Sequence, residues 1–379
     1  MKPLSWPWPV YSNVALARVA NLIQSGQVNQ LVCDTVEALE SVWASQFDCD
    51  HVIAVTNGTH ALELSLMALG IGPGDEVIVP ARCFIACATA IMRVGATPVF
   101  ADVDPRTQGL NRETVAPLIN RRTRAILLVH LGGHPASLLA DVEWVRQNRL
   151  ILVEDCSQAV GARYRNQYVG TFGDIACASL CNEKNISAGE GGIVQTSSVR
   201  LANKIRQLRN HGQNQHGAGR AGEFIFQRRI PGSNYRLSPL AAALALDHLE
   251  QWPELFSRRV AIARACRAAL AESPYFEVPE VIPDETPSWY RVYFAIRQDY
   301  WPQRSNLISA LHKAGIPLAS VSCPDVRLEP MFDGKVTREP LPHSRDLGEA
   351  MLALPAYPTL SDEDLMRLLD RIKGFRLSS

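Results

Sequence analysis

The stretch HVIAVTNGTHALELSLMAL, residues 51–69, decides the fold. His51 to Val55 is a short apolar run, Asn57-Gly58-Thr59 is a tight turn, and Thr59 to Leu69 repeats its apolar side chains with the period of a helix. A buried strand that turns straight into a helix is the opening half of a βαβ unit. Upstream, Leu31 to Gln46 predicts a helix with Val32, Val36, Leu39, Val42 and Trp43 on one face. Downstream, Glu76–Val79, Thr97–Phe100, Ala125–Val129 and Leu150–Val153 are short apolar runs rich in Val, Ile or Leu, without polar alternation. Such runs suit a mostly parallel sheet covered on both faces and joined by right-handed crossovers. From about residue 30 to 200 the fold class is α/β.

The second half changes character. Leu237 to Trp252 reads as a long amphipathic helix that Trp252-Pro253 ends. Arg258–Ser273, a β-like stretch at Trp289–Arg297, a helix at Ser305–Ala314 and a final helix at Ser361–Ile372 follow. Asp362, Glu363 and Asp364 fall in the first turn of that last helix, where negative charge meets the positive end of the dipole. The expected division is a large α/β domain over residues 1–250 and a smaller α+β C-terminal domain over residues 251–379. Gly212 to Gly222 is polar, glycine-rich and too long for a tight connection, so it reads either as a functional loop or as disordered chain. No internal repeat is visible.

Composition narrows the function classes. The 379 residues are 47% hydrophobic and 20% charged, which excludes a disordered chain, a collagen-like fibre and a coiled coil. Lys+Arg and Asp+Glu both number 38, so the basic excess that phosphate-driven nucleic-acid binding needs is missing. The most apolar region, Glu76 to Val103, is cut by Pro80, Arg82, Arg93 and Asp102, which leaves no run of about 20 apolar residues to span a membrane. The opening MKPLSWPWPVY has no apolar core of a signal peptide. Nine cysteines include no CxxC pair, and Cys83/Cys87 and Cys177/Cys181 have no histidine cluster nearby. Neither a zinc site nor a disulfide framework is expected; the thiols read as reduced and the compartment as cytoplasmic.

Four segments carry candidate chemistry. Lys184 lies in SLCNEKNISAGEGG, residues 179–192, in a stretch otherwise short of cations and followed by Gly189, Gly191 and Gly192. The glycines imply close backbone approach or positive φ. The lysine is either a desolvated, nucleophilic amine or a surface side chain before a turn. Asp155, in LVEDCSQ, follows a buried strand and so sits at the carboxyl edge of the sheet, where open α/β sheets bind ligands. It can hold a cationic heteroaromatic nitrogen or simply cap a helix. The turn at Asn57-Gly58-Thr59 presents backbone N–H groups at a helix start, which suits a phosphate but also fits an ordinary βα loop; no GxxxxGK[ST] is present. Finally, GSNYRLSP, residues 232–239, enters the long helix, with Asn234 a turn residue, a cap or a ligand contact.

In this order the four segments resemble the DegT/DnrJ/EryC1/StrS family of sugar aminotransferases, which are pyridoxal-phosphate enzymes of fold type I. The resemblance covers nearly the whole chain and is most specific in AVTNGTHALELSLMALGIGPGDEVIVP, VEDCSQAVGA, VGTFGD, KNISAGEGG and GSNYRLSPLAAA. The opening Trp-Pro-x-Pro, Asn-Gly-Thr-His and the pair AGEGG/NYRL look most like the cyclitol branch, with its scyllo-inosose aminotransferases and aminohydroxybenzoate synthases. It implies a mostly parallel seven-stranded sheet with flanking helices. It implies pyridoxal 5'-phosphate as cofactor, with pyridoxamine phosphate as its intermediate form, and no metal. Lys184 becomes the lysine that condenses with the cofactor aldehyde, and Asp155 the partner of the ring nitrogen. Gln158 neighbours the phenolic oxygen, Phe84 stacks on the ring and Ser157 lies beneath it. Gly58, Thr59, His60 and Ser179 hold the phosphate, with Asn234 reaching it from the neighbouring subunit of a homodimer. Ala178, Leu180, Cys181 and Asn182 depart from the family pattern beside the reacting carbon. Because Lys184 is retained, the resemblance favours transamination from glutamate or glutamine to a ketosugar or ketocyclitol over a dehydratase or a non-catalytic sensor. Arg220, Arg228, Arg229 and His216 are either a grip for a nucleotide diphosphate or a solvated charge cluster.

Overall fold

In the computed structural model the described residues are 4, 6–213, 228, 230–282, 284–319, 321, 325–333 and 340–377. Seven strands form the central sheet: β1 (His51–Val55), β2 (Glu76–Pro80), β3 (Thr97–Ala101), β4 (Thr123–Val129), β5 (Ile151–Asp155), β6 (Ile175–Ser179) and β7 (Gly192–Thr196). Their order is β1-β7-β6-β5-β4-β2-β3. Neighbours from β3 through β6 are parallel, whereas β7 runs antiparallel to both β6 and β1. The continuous apolar runs have a direct cause. Ile53, Val55, Val77, Val79, Leu127 and Val153 pack into one core with helices Gly58–Leu69, Ile85–Arg93 and Val199–Arg209. Their strand neighbours Ile78, Ile126, Leu128 and Leu152 pack into another core on the opposite face. With both faces covered, these strand positions take apolar side chains on either side.

The reversed strand positions the site. Because β7 returns beside β6, the connecting segment 180–191 stays at the carboxyl edge instead of crossing the sheet. Lys184 is in that segment, Asp155 closes β5 at the same edge, and β1 delivers the Asn57–Gly58 turn there.

Beyond residue 250 a second, antiparallel sheet runs β8 (Phe276–Glu277), β9 (Arg291–Ile296), β10 (Met351–Pro355) in that order. Val292, Phe294 and Ile296 enter a core with Ile262, Cys266, Leu368 and Ile372 of helices Trp252–Ala271 and Asp362–Gly374. A third small sheet ties Glu285–Thr286 to the hairpin of Arg163–Tyr164 and Gln167–Tyr168. Among the described residues, no helix is long and apolar enough to cross a membrane.

Several boundaries differ from expectation. The helix expected from Leu31 starts at Thr35; Asn29 caps a separate short turn at Gln30–Val32, and Leu31 and Val32 are exposed. Trp252-Pro253 does not terminate a helix so much as begin one. Helix Pro239–Glu250 stops at Gln251, and Pro253 occupies the first turn of Trp252–Ala271, where its missing N–H costs nothing. Of the polar loop, Gly212 and Gln213 belong to the described residues and 214–222 lie outside them.

Candidate active site

Asp155 is buried at the end of β5. Its Oδ1 accepts the backbone N–H of Ser157 at 2.9 Å, and the Cys87 thiol donates to its Oδ2 at 3.2 Å. Residues 156–162 form turns, with Ala159 N–H on Cys156 O at 2.8 Å, so Asp155 is not the cap of a helix. Behind it, Glu154 points to the opposite face and accepts the N–H groups of Gly170, Phe172 and Gly173 at 2.8, 2.9 and 2.7 Å. The His130 Nδ1 accepts from Ala136 N–H at 3.0 Å, which leaves Nε2 as the protonated nitrogen that donates to Glu154 at 2.9 Å. With Cys156 these two residues bring metal-ligand atoms within 4.8 Å of one another, but the His130 lone pair and the Glu154 oxygens are already engaged. They brace the strand end that carries Asp155.

The Lys184 segment is pinned on all sides. Leu180 N–H donates to Gly191 O and Ala188 N–H to Leu180 O, each at 2.8 Å. The Trp8 indole N–H donates to Lys184 O at 3.0 Å, and the Asn185 amide to Ser288 O at 3.2 Å. Trp8 is itself stacked on His248, whose Nδ1 accepts Ser187 N–H at 3.1 Å. The amine of Lys184 lies 4.8 Å from the centre of the Tyr290 ring. Burial pulls it below the ordinary lysine value; Arg291 adds to the pull, while Cys181, Asp155 and Glu183 oppose it. The amine is thus largely withdrawn from solvent, unlike a surface lysine before a turn.

The turn after β1 is equally tight. Asn57 caps helix Gly58–Leu69 by accepting His60 N–H at 2.8 Å. The His60 Nδ1 pairs with Thr56 Oγ1 at 2.6 Å. His60 N–H is therefore engaged, and Gly58 and Thr59 carry the N–H groups that this helix start leaves open among the described residues. A Cβ on Gly58 would fall 2.8 Å from Ser179 Cβ, and one on Gly192 would fall 2.3 Å from Asn57 O. Both glycines are dictated by the close packing of the turn on β6 and β7.

Phe84 caps helix Ile85–Arg93 and is 65% exposed, unusual for an aromatic side chain one turn from the buried Cys87–Asp155 contact. Ser157 and Gln158 are half-buried, and Gln158 Oε1 accepts Gly132 N–H at 2.8 Å. Asn234 is exposed, its Oδ1 accepting Arg236 N–H at 3.3 Å; beside it, Tyr235 O accepts Thr56 N–H and its ring meets His60. The carboxyl edge thus gathers Gly58, Thr59, Phe84, Asp155, Ser157, Gln158, Ser179 and Lys184, while Asn234 faces outward. Arg228 is exposed, and Arg220, Arg229 and His216 lie outside the described residues. Sequence reasoning missed Trp8, Cys87, Tyr290 and Arg291. A charge inside the apolar run WYRVYF was the available signal for the last of these.

The model of the DegT/DnrJ/EryC1/StrS aminotransferase family matches residues 11–373. The chain belongs to this family. It is 35% identical over 362 residues, 94% of this chain and 90% of the relative, to a dTDP-3-amino-3,4,6-trideoxy-alpha-D-glucose transaminase of Streptomyces venezuelae. To a GDP-perosamine synthase of Escherichia coli O157:H7 it is 34% identical over 340 residues, 90% of each. Among solved structures, the aminotransferase from Psychrobacter cryohalolentis superposes with a TM-score of 0.93 at 32% identity, covering 98% of both chains. The chain is an aminotransferase of fold type I, in a family that depends on pyridoxal phosphate. The dehydratase and sensor alternatives are not favoured.

Proposed function

We propose that this aminotransferase moves an amino group from glutamate or glutamine to a ketone on a nucleotide-linked sugar, with pyridoxal 5'-phosphate held at the carboxyl edge of the sheet. The observation that carries the reading is the partly desolvated Lys184 amine facing the edge where the buried Asp155 carboxylate ends β5. The residues fit the cofactor: the Gly58 cradle that a Cβ would fill, the exposed Phe84 ring, and a carboxylate and an amine of complementary chemistry. When bound, the cofactor supplies an aldehyde that takes up the amino group and a ring that accepts electron density.

The chain's own groups do the rest. Gly58 and Thr59 N–H groups and the Ser179 hydroxyl hold the phosphate, joined by Asn234 of a second subunit in a homodimer. Phe84 would stack on the cofactor ring, with Ser157 beneath it. Gln158, its oxygen fixed by Gly132 N–H, presents its amide donors to the phenolic oxygen. Asp155 would keep a proton on the ring nitrogen; an ion pair at about 4 Å and an effective dielectric near 20 would be worth roughly 4 kcal/mol, about three pKa units. Lys184, whose amine would condense with the cofactor aldehyde, would serve as the general acid–base that moves a proton at the donor carbon. The acceptor assignment draws on the nucleoside diphosphates in the names of both curated relatives, and places a free cyclitol second. The catalytic edge belongs to a large domain over 1–250, with 251–379 as the smaller domain, in a cytoplasmic enzyme.

Borohydride reduction of the cofactor-loaded protein, followed by peptide mapping, should leave a pyridoxyl group on Lys184. An unlabelled Lys184 refutes the reading. Offering ketosugar nucleotides and free ketocyclitols to the pyridoxamine-phosphate form then identifies the acceptor by return of the aldehyde-form absorbance.

A further inference from the structure

We propose that Tyr290 is a positioning residue for the proton-bearing amine of Lys184: the face of its ring holds the ammonium form and lets the neutral form go. The proposal deepens the aminotransferase reading and rests on it.

The Lys184 amine lies 4.8 Å from the centre of the Tyr290 ring and forms neither hydrogen bond nor ion pair among the described residues. An aromatic face attracts a cation through its ring quadrupole, most strongly where water is excluded. A neutral amine gains almost nothing from that face. The contact therefore holds the nitrogen only while the nitrogen carries its proton. A carboxylate in the same place would pair with the ammonium more tightly and resist giving the proton up.

The charged groups around the amine oppose one another. Burial disfavours the ammonium most, and Arg291, whose guanidinium stands 4.2 Å from the centre of the same ring, adds to that. Cys181, Asp155 and Glu183 favour it. Arg291 is itself tied to Glu183, Nη2 to Oε2 at 2.6 Å, so these two charges largely cancel at the amine. Burial also pushes the Tyr290 phenol up to about 12, so a neutral ring, not a phenolate, stands beside Lys184.

The ring is aimed by strained and clamped backbone. Trp289 sits at φ 53°, a left-handed conformation that is costly for a bulky L-residue. Ser288 N–H donates to Gly133 O at 2.9 Å, and Asn185, the residue after Lys184, donates its amide to Ser288 O at 3.2 Å. A Cβ on Gly133 would fall 2.7 Å from Trp289 N and 2.8 Å from Tyr290 N. The segment that carries Tyr290 is thus held by both the Gly133 turn and the Lys184 segment, which fixes the ring relative to the amine.

The test is trace acetylation of Lys184 by acetic anhydride in the whole chain, freed of cofactor, across neutral to alkaline pH, read by peptide mass spectrometry. Only the neutral amine reacts, so the profile reports where Lys184 gives up its proton. Y290L should move the profile to lower pH and raise the labelling rate below its midpoint about 2- to 30-fold, the range for a lost cation–π contact. Y290F keeps the face and should track the unsubstituted chain. A smaller side chain that merely lets water in would move the profile the other way, because solvation favours the ammonium. If Y290L does not fold, a ring-fluorinated phenylalanine at position 290 keeps the shape, weakens the face and should move the profile in the same direction. An unmoved or upward profile in Y290L or the fluorinated variant, or a Y290F that behaves as Y290L, overturns the proposal. A protein that transaminates while its acetylation profile ignores Y290L sinks only the role of Tyr290. A profile that shifts as expected in a chain with which no amino acid reacts keeps the ring contact and sinks the aminotransferase reading.

Discussion

The sharpest test of the phosphate cradle is Gly58→Ala. The new Cβ would lie 2.8 Å from Ser179 Cβ, 3.2 Å from Ser179 Cα and 3.3 Å from Ser179 Oγ. Carbon atoms in contact normally sit about 3.5–4.0 Å apart, so the helix start and the end of β6 must separate by roughly 0.7–1.2 Å. Overpacking of this kind costs about 1–3 kcal/mol, against a gain in helix propensity of at most about 1 kcal/mol. The same separation pulls the Thr59 N–H away from the Ser179 hydroxyl. Losing one hydrogen bond to a charged phosphate costs about 1.5–3 kcal/mol, or roughly 10- to 150-fold in cofactor affinity. The assay is cofactor binding by absorbance alongside thermal unfolding of loaded and cofactor-free protein. Adding Ser179→Gly relieves the clash but deletes the hydroxyl, so the cofactor-free protein should regain stability while affinity stays low. If G58A lowers both melting temperatures equally and leaves cofactor affinity intact, the two groups do not hold a phosphate.

Asp155→Asn removes the charge expected to keep the ring nitrogen protonated, and turnover should fall by about 10³-fold with the cofactor still bound, as steady-state kinetics and the absorbance spectrum will report; a loss under tenfold contradicts the assignment. Burial lowers the Lys184 pKa from its ordinary 10.5, so between the two values the unfolded chain binds more protons than the folded one and stability rises with pH. Melting of the cofactor-free protein from pH 6 to 10 should therefore show Lys184→Met most stabilised relative to wild type at low pH, with the gap closing as pH rises. Trp8→Phe keeps a ring to stack on His248 but removes the indole donor to Lys184 O, which should lower stability by about 0.5–1.5 kcal/mol and turnover by a few-fold. Unchanged kinetics in that variant would mean the Lys184 carbonyl needs no fixing.

The parallel half of the fold was legible because its strands are buried on both faces. An unbroken run such as Glu76–Val79 has one structural meaning, and the observed strand adds only Pro80. Strands β6 and β7 were not legible as strands. IACAS and GIVQT are short and rich in small residues, and their identity rests on pairing with distant segments. Helix Asn13–Ser25 was passed over because Val14, Leu16 and Ile23 face outward, which blurs its period. In the site, Asp155 and Gly58 could be placed from local pattern, since each follows directly on a strand. Tyr290 and Arg291 could not, because their position beside Lys184 depends on the segment 288–291 docking on the catalytic loops, as Ser288 N–H does on Gly133 O at 2.9 Å. Asn57 stood in the quoted turn, yet its capture of His60 N–H, which takes up that donor, needed coordinates.

The opening segment has a practical consequence for handling the protein. Pro7 O receives the Thr359 hydroxyl at 2.5 Å, Trp8 grips Lys184 O, and Ser12 N–H ends on Asp247 at 3.0 Å. A purification handle fused just ahead of these residues would tug on the same thread that fastens the Lys184 segment. Weak turnover in such a preparation would then report on the fusion, and moving the handle or cleaving it should restore the rate.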